Sequence, residues 1–275
     1  MILMFEWLKQ RFKPVDVVED FVPLPPIIIT IHGYGRRRKH EFDNFVLWGK
    51  KDGFEIITFD MYDLFDENDN NWMHWVARAK EKVDAYKNSN RDIYLVGFSM
   101  GGVIASYLAS VCDVKKLVLL APAFSYVNMD MITGAITKTA VNLWSADKKD
   151  KDEIVLPASF YAAFSDTIKN LKKYISEVTC PVLLLHGDED EVISLKSSTH
   201  AFAKIPHNKK RLIILHEGHH RLFMDEGVNW ECYQTIKLFL TNVLLPDYEI
   251  EQCKDVMDDL VKQKRLLEQQ KRTSQ

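Results

Sequence analysis

Cysteine is scarce in this chain of 275 residues, and no two cysteines form a paired motif. The four lie far apart, at Cys112, Cys180, Cys232 and Cys253. Neither the CxxC spacing of a metal site nor the framework of a disulfide-rich domain can be drawn from them. We therefore expect reduced thiols, a cytoplasmic location and no metal site.

An excess of charge of one sign is also missing. The chain has 36 Lys and Arg residues against 39 Asp and Glu residues, which gives a net charge of −3. Proteins that bind nucleic acid usually carry a strong basic excess on one face. The balance therefore gives no reason to expect a nucleic-acid partner.

Long apolar runs are absent as well. No window approaches the roughly 18 apolar residues that a membrane-spanning helix needs. The first residues, MILMFEWLKQRF, lack a basic start, and Glu6 interrupts the apolar run early. We expect a short amphipathic segment there instead of a signal peptide, and no integral membrane association.

Six short runs of β-forming residues are present instead, and most are continuously apolar. Such runs are typical of strands that are buried on both faces, as in a parallel sheet covered by helices. Helical patterns fall between most of them, at Trp72–Tyr86, Gly101–Val111 and Asn229–Leu244. The fold class is therefore α/β, with a doubly wound, mostly parallel sheet. The six runs are Ile27–Ile31, Glu55–Phe59, Ile93–Val96, Lys116–Ala121, Pro181–His186 and Arg211–Leu215.

One long interval breaks the alternation and divides the chain. Residues 1–121 and 180–246 are predicted to form the core, and residues 122–179 a helical insertion. A helical insertion of this length is usually functional, so we interpret it as a cap or lid over the sheet. The alternative is that it only extends the core.

Residues 247–275 form a charged tail with a helical pattern. One interpretation is a helix that packs on its own domain. The other is a short coiled coil that docks on a partner, for instance in a homodimer.

The stretch LVGFSMGG contains the motif G-x-S-x-G, with Ser99 between Gly97 and Gly101. A predicted strand precedes it and a predicted helix follows it, which is the context that a nucleophilic serine on a strand-to-helix turn requires. The start of the helix directs backbone N–H groups toward developing negative charge. Ser99 is therefore the candidate nucleophile.

A serine nucleophile needs a base and an acid that orients the base. Asp190 follows the fifth strand and His219 follows the sixth, so all three side chains are expected at one edge of the sheet. Asp188 and Glu189 remain alternatives for the acid. His220 remains an alternative for the base.

These residues make the chain resemble the α/β-hydrolases of the serine esterase and lipase type. The resemblance covers about Ile27 to Leu244. Family members often carry HG-x-x-D-x-x-V around the acid and a Gly-His pair at the base. Here these are His186, Gly187, Asp190 and Val192–Ile193, and then Gly218 and His219.

The family also carries an HG turn after an early strand, which is ITIHGYG here. The resemblance implies that the backbone N–H groups of Tyr34 and Met100 form the oxyanion hole, and that His32 and His186 are structural. The chain departs from the family in FDMYDLFDENDNNW, where Asp60 is kept but two usual glycines are missing. Its part before Ile27 is short, so we expect the usual first strands to be absent or reduced.

The triad predicts hydrolysis of small to medium acyl esters through an acyl-enzyme, without a metal or organic cofactor. Alternatives with the same triad are a thioesterase, a monoacylglycerol lipase and a small-peptide hydrolase. A non-catalytic binding protein of the same fold is an alternative of another class.

Apolar side chains of the predicted lid are the candidates for contact with the acyl chain. The basic run Arg36 to Lys39 follows the predicted oxyanion loop. It is either an exposed loop or a contact for an acidic substrate. The lid candidates are Met129, Met131, Ile132, Phe160 and Phe164.

Overall fold

A computed structural model of the chain describes residues 24–125 and 158–244. At its centre lies a six-stranded sheet in which every neighbouring pair of strands is parallel. The strands are β1 (Ile27–Ile31), β2 (Glu55–Ile57), β3 (Ile93–Phe98), β4 (Lys116–Leu120), β5 (Val182–Gly187) and β6 (Lys210–Leu215). Their order across the sheet is β2-β1-β3-β4-β5-β6.

The predicted α/β class and the parallel sheet are confirmed. Each apolar run gave a strand, and all six begin within one residue of the prediction. The strand β2 is shorter than predicted, because it ends at Ile57 although the apolar run continues to Phe59. It is the edge strand beyond β1, and Glu55 at its start is exposed.

Six α-helices of the described residues connect and cover the strands. They are α1 (Asp43–Lys51), α2 (Trp72–Asp84), α3 (Met100–Val111), α4 (Ala158–Leu171), α5 (Lys196–Lys204) and α6 (Asn229–Leu240). Two short 3-10 helices, Arg38–Phe42 and Lys172–Glu177, precede α1 and follow α4.

Alternate residues of each strand enter two separate cores. In β1, Ile27, Ile29 and Ile31 join the core formed with α2, α3, α4 and α5. Ile28, between them, joins the core formed with α1 and α6. Because both faces are covered, every residue of β1 must be apolar or small, which explains the continuous apolar runs in the sequence.

Residues 122–125 and 158–179 are the described parts of the predicted insertion 122–179, and both contribute to the first core. Phe160, Phe164 and Ile168 of α4 are buried there together with Ile175 of the 3-10 helix. These contacts agree with the interpretation in which this part of the segment extends the core. The lid itself stays a prediction, since residues 126–157 lie outside the described ranges, as does the tail 247–275.

Candidate active site

The candidate nucleophile Ser99 lies in the sharp turn between β3 and α3. Its φ and ψ are 53° and −119°, a conformation that side chains other than glycine rarely adopt. A Cβ at Gly97 would overlap the backbone of Gly101 and Gly102, and a Cβ at Gly101 would overlap the carbonyl oxygen of Ile31. The glycines around Ser99 are therefore required because the helix, the strand and β1 approach one another too closely for side chains.

Backbone hydrogen bonds hold Ser99 in this conformation. Its N–H donates to the carbonyl of Leu120 at 2.9 Å, and its carbonyl accepts from Ala123 at 3.1 Å. The side chain is buried, and its hydroxyl finds no hydrogen-bond partner among the residues that the structure describes. A buried hydroxyl without a partner is rare in folded proteins, and at this position it is available for chemistry.

Asp190, after β5, has an unusually complete set of donors for a buried carboxylate. Its Oδ1 accepts from the backbone N–H groups of Val192 and Ile193, both at 2.8 Å. Its Oδ2 lies 2.8 Å from His220 Nδ1 and 3.1 Å from His186 Nε2. Burial raises the pKa of Asp190, but the hydrogen bonds from His186 and His220 outweigh it and hold this pKa well below its usual range.

The structure corrects the prediction that His219 pairs with the acid. Asp190 instead pairs with the neighbouring His220, whose side chain is only 7% exposed. The His220 ring also packs on Phe98, the residue before the nucleophile, with ring centroids 4.9 Å apart. His220 thus occupies the position expected of the base, and it was an alternative that the sequence left open.

His219 points to the other side of the same loop. Its Nδ1 lies 3.0 Å from Asp225 Oδ2, its Nε2 lies 3.8 Å from Glu189, and its side chain is 55% exposed. The hydrogen bond with Asp225 raises the pKa of His219. The pair is a solvent-exposed contact within the loop after β6.

The other candidate acids lie at the rim. Asp188 contacts His216 Nδ1 at 2.8 Å and accepts from the backbone of Glu217, and both histidine and aspartate face solvent. Glu189 is exposed as well. Of the three neighbouring acids, Asp190 alone is buried against a histidine close to Ser99.

The loop after β1 is fixed from below by His32, which is fully buried. Its Nε2 accepts from the N–H of Met61 at 2.9 Å, so its Nδ1 carries the proton and donates to the carbonyl of Gly33 at 2.7 Å. Burial lowers the pKa of His32 to about 4, which keeps the ring neutral. The structural role that the sequence suggested for His32 agrees with these contacts.

Tyr62 is a second support of this loop, and the sequence reasoning missed it. Its hydroxyl accepts from the N–H of Gly35 at 2.8 Å and donates to the carbonyl of the same residue at 2.7 Å. The only signal in the sequence was its place in the segment where the family's glycines are missing. A buried tyrosine therefore stabilises the loop there.

The same loop passes directly over the nucleophile. A Cβ on Gly33 would lie 3.0 Å from the Cβ of Ser99 and 3.0 Å from the Phe98 ring. Tyr34 follows, and its ring lies 5.1 Å from that of Phe164. Tyr34 and Met100, the predicted oxyanion residues, therefore flank Ser99 from the β1 loop and from the first position of α3.

The remaining predicted contacts divide into two groups. Phe160 is fully buried against the rings of Tyr62 and Trp75, which makes it a core residue, whereas Phe164 reaches the β1 loop through Tyr34. The other three predicted lid contacts, Met129, Met131 and Ile132, lie outside the described residues.

Arg38 and Lys39 of the basic run form ion pairs with Asp60. Arg38 Nη1 and Lys39 Nζ each lie 3.4 Å from Asp60 Oδ2, and Arg38 also donates to the carbonyl of Tyr62. These contacts tie the run to the segment that carries Tyr62.

Within residues 24–125 and 158–244, no group of three or more His, Cys, Asp or Glu side chains could hold a metal ion. In the same ranges, no helix is long and apolar enough to cross a membrane.

The class of fold follows from these features and from comparison with solved structures. The chain has 15% identity to the monoacylglycerol lipase of Paleococcus ferrophilus, with a TM-score of 0.62 over 80% of this chain and 96% of that one. A soluble variant of the monoglyceride lipase of Saccharomyces cerevisiae is 18% identical, with a TM-score of 0.63 over 80% of this chain and 87% of that one. Est1E of Butyrivibrio proteoclasticus is 19% identical, with a TM-score of 0.56 over 80% of this chain and 89% of that one. The chain therefore has the α/β-hydrolase fold.

Sequence comparisons agree. The family model for serine aminopeptidases of the S33 type matches residues 138–227, which include Asp190 and His220 but not Ser99. The thermostable monoacylglycerol lipase of Bacillus sp. (strain H-257) is 22% identical over 165 residues, 55% of this chain. The match spans 64% of that lipase, less than two thirds of its length. The expected resemblance to the α/β-hydrolases is confirmed for the fold.

Proposed function

We propose that the protein is a serine hydrolase that cleaves carboxylic esters of small to medium acyl chain. The observation that carries the proposal is the buried pair of Asp190 and His220 beside the strained turn of Ser99. In this assignment Ser99 is the nucleophile, His220 the general base and Asp190 the acid that orients His220.

The first half of the reaction forms an acyl-enzyme. His220 Nε2 accepts the Ser99 proton while Ser99 Oγ attacks the ester carbonyl. The N–H groups of Tyr34 and Met100 stabilise the oxyanion. His220 then donates the proton to the leaving alkoxide, and the alcohol departs. Asp190 keeps the proton of neutral His220 on Nδ1 and stabilises the charged imidazolium.

The second half repeats the sequence with water as the nucleophile. His220 removes a proton from water, the hydroxide attacks the acyl carbonyl, and Ser99 leaves with the proton that His220 returns. The Ser99 hydroxyl has no partner among the described residues, so we propose that the Ser99–His220 hydrogen bond forms when substrate binds. Catalytic hydrogen bonds are often incomplete without substrate.

Relatives support an ester as substrate, since the names of three of them specify lipases of monoacylglycerols. A monoacylglycerol is therefore the most informative ester to test beside simple model esters. The name of the matching family model keeps a peptide hydrolase among the alternatives, together with a thioesterase. A non-catalytic binding protein is disfavoured because candidates for all three triad positions are present.

Labelling with a fluorophosphonate tests the nucleophile directly. Wild type is expected to gain one probe adduct by intact mass, and Ser99→Ala none. His220→Asn is expected to label at least about 100-fold more slowly, because the serine loses its base. His219→Asn is the matched control and is expected to label at the wild-type rate. Folded wild type that stays unlabelled would refute the proposal.

A substrate panel then separates the ester classes. We expect turnover of p-nitrophenyl butyrate to decanoate and of 1-monoacylglycerols, and little turnover of aminoacyl p-nitroanilides. If Ser99 is labelled but the anilides are cleaved in preference to the esters, the proposed activity is wrong and the protein is a peptide hydrolase.

A further inference from the structure

Asp190 is shared by a second histidine that the proposed mechanism does not use. His186, in β5, is fully buried, and its Nε2 lies 3.1 Å from Asp190 Oδ2 and 2.8 Å from the carbonyl of Ile193. Its other nitrogen, Nδ1, lies 2.7 Å from the hydroxyl of Ser198 in α5, which is also fully buried.

These partners determine which nitrogen of His186 carries the proton. The carboxylate of Asp190 and the carbonyl of Ile193 can only accept, so Nε2 must be the protonated nitrogen. In neutral His186, Nδ1 then accepts from the hydroxyl of Ser198. The two acceptors at Nε2 thus fix the tautomer of His186, and the hydroxyl of Ser198 holds the ring in place from the side of Nδ1.

Hydrogen bonds also close a ring around the acid. The N–H of Ile193 donates to Asp190 Oδ1, while the carbonyl of Ile193 accepts from His186 Nε2. A carboxylate held on both oxygens has little freedom to rotate. The orientation of Oδ2 toward His220 is thus set from the side of His186.

We infer that His186 is a positioning residue of the reaction, which orients Asp190 and limits how strongly its carboxylate attracts the proton of His220. Only the kinetic consequence of the inference, the change in kcat/KM, rests on the proposed function. A carboxylate oxygen that faces two N–H groups is a weaker acceptor for each of them. Without His186 Nε2–H, the full negative charge of Oδ2 would act on His220 and stabilise its imidazolium.

Other charged groups lie close to His220 on its own loop and on the neighbouring elements. The backbone N–H of His220 contacts Glu191 at 3.1 Å, and its neighbour Arg221 lies 3.5 Å from Glu41. On the solvent side, His219 pairs with Asp225. A substitution at His186 leaves these groups unchanged, so its effect on His220 must pass through Asp190.

The test is a titration of His220 by NMR in the full chain with labelled histidine, assigned by comparison with His220→Asn. In His186→Phe, which keeps the ring but loses the donor, we expect the pKa of His220 to rise by about half to one unit. The acid limb of kcat/KM should move to higher pH by the same amount, so that kcat/KM on that limb falls by about 3- to 10-fold. His186→Gln, which places an N–H near the position of Nε2, should restore the wild-type pKa.

A purely structural role gives a different result. In that case a folded His186→Phe protein melts at a lower temperature but keeps the wild-type pKa of His220 within about 0.2 unit. That outcome would overturn the inference. Thr167→Val is the matched control, because it removes a buried hydroxyl of α4 that bonds only within its own helix.

Ser198→Ala decides the question if His186→Phe does not fold. It removes the hydrogen bond that holds His186 Nδ1 and leaves the ring in place, so the Nε2–H is less firmly directed at Asp190, and we expect a shift of the His220 pKa in the same direction by at least about 0.3 unit. If Ser198→Ala behaves as Thr167→Val does, the inference is wrong. The titration of His220 needs no turnover. It therefore still tests the inference if wild type cleaves no ester and the proposed function fails.

Discussion

Two histidines that are adjacent in the chain, each paired with an aspartate, differ in almost every other respect. His220 is buried on Asp190, which has two backbone donors and a second histidine. His219 is exposed on Asp225. The contact distances are similar, 2.8 Å and 3.0 Å. The comparison teaches that the surroundings of an Asp–His pair, and not its hydrogen bond, determine whether it can serve a nucleophile.

The largest expected effect comes from replacing the two histidines in turn. His220→Asn should lower kcat for p-nitrophenyl butyrate by about 10⁴-fold, since Ser99 loses its base. His219→Asn should stay within about 3-fold of wild type, because its ring faces solvent. Initial rates of the two purified variants check this. Equal losses of kcat in the two variants would contradict the assignment of His220, and not His219, as the base.

The two acids give the second comparison. Asp190→Asn should lower kcat by about 10³-fold, because an amide no longer holds His220 in the correct tautomer or stabilises its charged form. Asp225→Asn keeps one of the two oxygens that accept from the loop backbone, and because the pair with His219 lies at the surface, kcat should change by less than about 5-fold. Circular dichroism would establish that both variants are folded. A catalytic loss at Asp225 as large as at Asp190 would contradict the assignment.

A third, smaller effect concerns acid stability. The pKa of Asp190 is depressed in the folded protein, so its stabilising contribution is present above its unfolded pKa of about 3.9. This contribution is lost as the pH falls toward the folded value. We expect the difference in the free energy of unfolding between wild type and Asp190→Asn to narrow from pH 6 to pH 3. Urea unfolding at several pH values measures it, and a constant difference would argue against a depressed pKa.

The smallest effect is expected from the exposed pair of His219 and Asp225. Its stabilising contribution is lost as the pH rises, whereas that of Asp190 is lost as the pH falls. The pKa of His219 is raised in the folded protein, so its stabilisation is present below about pH 6.5 and is lost as the pH rises through the folded value. His219→Asn should therefore lower Tm slightly at pH 6 and leave it unchanged at pH 9. Thermal melts at both pH values check the sign. A Tm difference that persists at pH 9 would point to packing instead of charge.

Much of the fold could be predicted because burial on both faces leaves a clear signal. The strands β1, β3, β4 and β5 are almost wholly apolar, and each was recognised as a run. The edge strand β2 ends early, since an edge has pairing on one side only and an apolar sequence does not show where pairing stops.

For the site, the chain order and the strand ends indicated Ser99 and Asp190. The resemblance favoured His219 as the base, whereas the histidine that contacts Asp190 is His220. Glu217 has a φ of 59°, so the chain makes a left-handed turn just before the two histidines. No composition rule requires a glutamate to adopt that conformation. The direction of the two rings therefore depends on tertiary contacts, chiefly those of Asp190 and Asp225.

The strained backbone of Ser99 has a consequence for how the protein responds to heat. A non-glycine residue in such a conformation costs about 1–3 kcal/mol, and here the docking of β3 and α3 on β1 holds it in place. Warming that loosens this junction relaxes the turn before the sheet comes apart. The nucleophile would then withdraw from its working position while the molecule still looks folded. Inactivation should accordingly begin below the melting transition and reverse on cooling.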